Sequence, residues 1–307
     1  MPERWLPYFP AEGFSSPVLA DLYWSVYGPP LLSFESIRHH TGASLDQEVL
    51  IESGPANWPW NDDKNIASHL NASEKGLLGK KFESLIHYWL FHHGRFEVSA
   101  RNLQLEEGRT LTEFDFILSD IQNQHYVHLE TACKYYLAVS NSTSHEQWAG
   151  TNAADRLDRK LATTRRQFQL LHSFKSELLP EKREITTSCL FLKGYFFVPF
   201  KLLGNHRLPE GAHAHCDTGW YVRASELGMF ESEVRQWWLP PRERWMAPVA
   251  YPIDTSEILD GYAMNHLAKT LLNKNKKSPL VIQLIQTDHG YRELSRGFVV
   301  EDRWPAT

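Results

Sequence analysis

The chain has 307 residues, 42% hydrophobic and 22% charged, the proportions of a globular protein that buries a core without disulfide staples. Its formal net charge of −5 excludes a protein that coats nucleic acid through bulk positive charge, so any polyanion contact must come from a local patch. No apolar run approaches the ~18–20 residues that span a bilayer, the opening MPERWLPYFPAEG lacks a secretory apolar stretch, and Cys133, Cys189 and Cys216 form no CxxC pair, so a cytoplasmic, reducing setting with no membrane partner is expected.

In chain order, SSPVLADLYWSVYGPPLL begins as a helix, with Ser15 or Ser16 as cap, Pro17 in the first turn and Gly28-Pro29-Pro30 as the stop. Residues 53–75, rich in Pro, Asn and Asp, predict a linker or loop. Leu78, Phe82, Leu85, Ile86 and Trp89 then fall at helical spacing, and Gly94 ends that helix. RFEVSARNLQLEEG predicts a strand closed by a Glu-Gly turn. LTEFDFILSD alternates, with Phe114, Phe116 and Leu118 expected on one face and Glu113 and Asp115 on the other. HYVHLETACKYYLAV alternates again, with Val127, Leu129, Thr131 and Cys133 opposite His128, Glu130, Ala132 and Lys134. Short turns make these three strands a meander. Residues 153–178 predict a long helix with an apolar stripe of Leu157, Leu161, Phe168 and Leu171, and residues 186–200 a buried strand. Past residue 201 the pattern is mixed, rich in Trp, with a last strand pair around PLVIQLIQ and GFVV. Three parts result: a helical extension and linker over 1–75, an α/β core over 76–200, and an aromatic-rich α/β extension over 201–307.

Divalent-metal chemistry on phosphodiesters needs hard oxygen ligands at fixed positions, and Mg²⁺ is usually held by one or two carboxylates plus waters and substrate phosphates. Same-face carboxylates on neighbouring strands lie about 5 Å apart. Asp115 and Glu130, on successive strands, fit this arrangement, with Glu83 on the preceding helix as a third carboxylate. A nearby Lys neutralises charge in the transition state, and Lys134 shares the face of Glu130. The plainer alternatives are a solvent-facing strand residue for Asp115, an exposed helix position for Glu83, a structural or substrate-steering lysine at 134, and an inner-face salt bridge to a basic residue for Glu113.

Gly79, Glu83, Arg101-Asn102, the run Glu113-Phe114-Asp115-Phe116-Ile117 and His128-Leu129-Glu130 resemble the PD-(D/E)XK nuclease superfamily, most of all its small resolvase-like endonucleases. The segments DLYWSVYGPPLL, LGKKFESLIHYWL, GRTLTEFDFIL, HLETACKYYL, GTNAADRLDRKL and RGFVVEDRWP also resemble a bacterial family known as domain of unknown function 1853. The resemblance implies a restriction-endonuclease-like core, Mg²⁺ or Mn²⁺ at Asp115, Glu130 and Glu83, and a nucleic-acid partner, DNA ahead of RNA. One position departs. The superfamily lysine follows the strand Glu by two, where this chain has Ala132; Lys134 lies about 13 Å along from Glu130 at ~3.3 Å per residue. Lys160 and Arg156 on the next helix are the candidate substitutes, with Arg156, Lys160 and Gln167 turned toward substrate phosphates and Arg159 and Arg165 on a solvated face.

Three further clusters have plainer readings. His213, His215, Cys216 and Asp217 are too cramped for a zinc site without a second pair. His92-His93 cap carbonyls at a helix end. WWLPPRERW, with Arg235, Arg242 and Arg244, either stacks bases or closes an aromatic mini-core, the latter favoured. The expected function is a Mg²⁺-dependent nuclease; the alternative is a catalytically inactive nuclease fold serving as a nucleic-acid-binding or protein-interaction module.

Overall fold

The computed structural model describes residues 13–54, 63–70, 77–106, 110–173, 185–231, 234–288 and 290–305. Among the described residues there are seven α-helices: α1 (Pro17–Tyr27), α2 (Phe34–Thr41), α3 (Gln47–Glu52), α4 (Asp63–His69), α5 (Leu78–Phe91), α6 (Leu157–Ser173) and α7 (Gly261–Asn275). The same residues form nine strands: β1 (Phe96–Glu106), β2 (Thr110–Asp120), β3 (His125–Ala138), β4 (Trp148–Ala149), β5 (Ile185–Pro199), β6 (Thr218–Arg223), β7 (Gln236–Trp238), β8 (Leu280–Thr287) and β9 (Gly290–Val300).

Local chemistry sets the helix ends. Ser16 Oγ accepts from the Leu19 amide at the start of α1, and the Gly28 amide returns to the Trp24 carbonyl at its end. Ser33 caps α2, and Gly42, at φ 80°, closes it in the left-handed region that glycine reaches without strain. His92 Nδ1 bonds the Tyr88 carbonyl near the end of α5, while His93 crosses to the Leu50 carbonyl of α3. The stretch expected to be a loop over 53–75 contains α4, whose Ile66 is fully buried. One apolar anchor suffices to seat a short polar helix against α1 and α5. The Glu-Gly turn after β1, residues 174–178 of the long helix and the side chain of Leu171 lie outside the described residues.

All nine strands form one mixed sheet in the order β1-β2-β3-β5-β6-β9-β8-β7, with β4 on β3. The β3–β5, β5–β6 and β6–β9 pairs are parallel, and the flanks are antiparallel. The chain beyond residue 201 therefore extends the sheet of the core. Helices α1 and α5 and an irregular segment, 245–251, pack on one face; α2, α6 and α7 cover the other. At Gly194, with φ 138°, an added Cβ would lie 1.7 Å from the Lys134 carbonyl oxygen, so only glycine lets β5 approach β3 there.

Two features of the meander shape its polar end. First, β2 pairs with β3 only from Phe116↔Leu129 to Asp120↔His125, so the strands fork at Asp115 and Glu130. Second, the expected alternation of β2 slips at the fork. Phe116 and Leu118 face α5, but Phe114 joins Leu105, Ile117 and Tyr126 on the α6 face, against the His128 ring at 4.9 Å. The β1–β2 register skips the Asn102/Asp115 step, and Asn102 lies at φ 52°, so the ladder is broken where the alternation changes.

Candidate functional site

At the fork, side chains take over the ladder bonds that the backbones no longer make. The Asp115 carboxylate accepts from the Thr131 amide at 2.8 Å and the Thr131 hydroxyl at 2.9 Å. In return the Asp115 amide donates to Glu130 Oε1 at 3.4 Å. Glu130, 1% exposed, also holds His128 Nε2 at 2.9 Å, and the His128 ring is wedged between Phe114 and Phe168 of α6. The two acids thus converge at the fork, where the regular alternation of β2 is broken.

The electrostatics of the pair are those of like charges drawn out of water. Burial first, and then the charge of Glu130, push the Asp115 carboxyl up to about 7, against the opposing pull of the Thr131 amide, Lys160 and the Thr131 hydroxyl. Lys160, on α6, has no ion-pair partner among the described residues and acts on Asp115. Its position on the wall follows from helix docking: Leu157, Leu161, Thr164 and Phe168 turn to the sheet, and Gln167 donates to the Glu113 carbonyl of β2 at 3.0 Å.

The other expected site residues are placed differently. The Lys134 ammonium sits on Asp155 at 2.7 Å, so it is engaged away from the two acids. Arg156, expected on the helix, lies just before α6 in a bridge to Ala149 and forms a two-pronged pair with Asp158, which sets it apart from Lys160 within α6. Gln167 turns inward as expected, but toward β2 backbone. Glu83 is buried and gripped by Arg101 at 3.0 Å and Lys80 at 2.9 Å; reversing the Asn102 amide adds a bond from Asn102 at 2.9 Å. Two cations thus neutralise Glu83, and it serves to anchor the Arg101-Asn102 kink of β1 beside the fork. Glu113 pairs with Lys80 at 3.6 Å, a basic partner as expected, but with both side chains half exposed rather than on an inner face.

Among the described residues, no group of three or more His, Cys, Asp or Glu side chains converges to hold a metal. A Zn²⁺ cage of protein ligands is therefore not formed by them, whereas a two-carboxylate site suits Mg²⁺, which keeps several waters. Asp217 of the HAHCD run is buried and accepts from Trp24 Nε1 at 2.8 Å, a structural bond. Trp237 and Trp238 are buried and Trp245 packs on Phe298 and Tyr135, which is the mini-core arrangement.

Residues 20–300 match the family described as Domain of unknown function (DUF1853). The chain belongs to that family. No curated protein and no solved structure matches it. In this DUF1853 chain no helix among the described residues is long and apolar enough to cross a membrane.

Sequence reasoning missed Thr131, His128 and Lys80 as parts of the site. Thr131 and His128 flank Glu130 closely, so pairing partners for a buried carboxylate were within sight. Lys80 carried a weaker signal, its i,i+3 spacing to Glu83.

Proposed function

We propose that the Asp115–Glu130 fork is the metal site of a nuclease of the PD-(D/E)XK kind, hydrolysing phosphodiester bonds in nucleic acid. The observation that carries this reading is the convergence of a buried carboxylate, Glu130, and a half-buried one, Asp115, from two diverging strands, with a lysine of α6 that acts on Asp115 and has no ion-pair partner among the described residues. Asp115 and Glu130 would hold Mg²⁺ or Mn²⁺, which supplies charge stabilisation at the phosphoryl oxygens and a lowered pKa for the attacking water. Thr131 fixes the Asp115 carboxylate through its amide and hydroxyl. His128 fixes Glu130. Lys160 offsets negative charge that develops on the phosphate, the task the superfamily gives to a lysine at the position of Ala132.

The reading is tested by incubating the protein with supercoiled plasmid and with RNA in Mg²⁺. Cleavage is expected to fall by about 10²–10³ in Lys160→Gln, the range for removing one charge-stabilising group, and to vanish in Asp115→Asn. Equal cleavage by wild type and both variants contradicts it. A second reading, a nucleic-acid-binding module without catalysis, draws on the engagement of Lys134 with Asp155. It predicts binding that is indifferent to chelator, with no cleavage.

A further inference from the structure

Two lysines whose charges act on Asp115 come from helices on opposite faces of the sheet. Lys160 belongs to α6, and its charge acts on Asp115. Lys80 belongs to α5, on the other face, and also interacts electrostatically with Asp115, as well as with Glu83 and Glu113. Its neighbour Lys81 has a structural task, bonding the buried Asp21 and the Glu243 carbonyl. Lys80 has no such burial: its side chain is 45% exposed, and its partners Glu83 and Glu113 are already shared with Arg101 or half exposed. Arg101 also holds the buried Glu83, so Glu83 keeps a cation when an incoming anion engages Lys80.

We infer that Lys80 and Lys160 form a two-walled phosphate clamp across the fork, gripping the backbone of a nucleic-acid strand from both faces of the sheet. The inference rests on the nuclease reading and names how that site takes its substrate. β2 and β3 share no ladder pairs beyond Phe116↔Leu129, so the two strands part at Asp115 between the helices that carry the lysines. In this clamp a phosphodiester chain lies at the fork with one ammonium against each side. The cations are few, in keeping with a chain whose net charge is −5; affinity is therefore local to the fork rather than spread over the surface. Burial alone would lower the Lys80 pKa, but the bond to Glu83 and the charges of Glu83, Glu113 and Asp115 together raise it, so the ammonium stays charged at neutral pH.

The test is the salt dependence of binding, read by fluorescence anisotropy on short labelled DNA, single-stranded and duplex, with Ca²⁺ in place of Mg²⁺ between about 50 and 200 mM salt. Removing one phosphate-neutralising cation lowers the slope of log K against log salt by about 0.9 for duplex or about 0.7 for a single strand. Lys80→Gln and Lys160→Gln are each expected to lower the slope by that amount, and Lys80→Arg to retain the wild-type slope. Arg165→Gln, an exposed cation of α6 whose charge faces His40, is expected to leave it unchanged. A wild-type slope in Lys80→Gln, or an equal loss in Arg165→Gln, overturns the clamp. If the clamp fails while Mg²⁺-dependent cleavage is still abolished by Asp115→Asn, the hydrolytic reading survives it. If both lysine variants lose slope in a protein that never cleaves, the clamp holds without the hydrolysis.

Discussion

Burial lifts both Asp115 and Asp217 to about 7, but for different ends. The second influence on Asp115 is another carboxylate, Glu130, whereas Asp217 is opposed by the Trp24 N–H and the charges of Arg296 and Lys193. Asp217 thus acts inside the scaffold. Its folded-state value lies above its ordinary 3.8, so the native state holds an extra proton between about pH 4 and 7, and stability falls as pH rises through that window. Asp217→Asn removes this fall. Chemical denaturation at pH 5 and pH 8 is expected to show the variant gaining on the wild type by more than about 1.4 kcal/mol, one pKa unit; parallel curves would refute the assignment. At the site, Lys134→Ala gives up only a half-exposed pair with Asp155 and is expected to change stability by less than about 1 kcal/mol while leaving metal binding intact. Calorimetric loss of Mg²⁺ binding in that variant would restore Lys134 to the site. Asp115 and Glu130 were legible because strand alternation and short turns constrain where acids on neighbours go. The position of Lys160 on the wall was only one option among the basic residues, because periodicity gives the face of a helix but not its docking. The pairing of Lys134 with Asp155 was not legible, because a shared strand face says nothing about a partner that arrives from a loop.

The helix–strand–strand–strand–helix–strand order was legible from periodicity, whereas β6, β7 and α7 were not. β7 has three residues, and α7 carries its buried Met264, Ala268 and Leu272 among Asn, Lys and Thr. The slip of β2 at Asp115 escaped because it depends on the left-handed Asn102 of the neighbouring strand, a long-range cause. Segment 245–251 shows how an irregular stretch is buried. Arg296, fully buried, donates to the carbonyls of Trp245, Met246 and Ala247 and pairs with Glu293, while Tyr135 and Tyr195 donate to Trp245 and Met246. Glu293 accepts from the Val249 amide, and Asp21 from the Ala247 amide. Backbone groups that a strand would satisfy are met here by charged side chains. Arg296→Met leaves Glu293 buried without its cation and the Ala247 carbonyl without the guanidinium donor, while Trp245 and Met246 keep the tyrosine hydroxyls. Urea unfolding is expected to show a loss of about 3–5 kcal/mol; a change under about 1 kcal/mol would mean the segment is held by packing alone.

At the scale of the molecule, one mixed sheet carries both the site and the C-terminal region, with α5 and α6 on opposite faces at the fork. The aromatic residues that suggested base stacking instead fill the core around β6 to β9, which is why composition left that choice open. Irregular steps interrupt the edge strand β1 at Val98/Ala100, Asn102 and Leu105/Glu106, and blunt it as a template for another chain. The fork is then the place where the fold leaves two acids without a strand between them. Isothermal calorimetry of Mg²⁺ and Mn²⁺ binding, wild type against Asp115→Asn, addresses it most directly. A binding isotherm in the wild type that is absent from a folded Asp115→Asn variant is the predicted result; no heat in either protein, or the same isotherm in both, contradicts a metal site between Asp115 and Glu130.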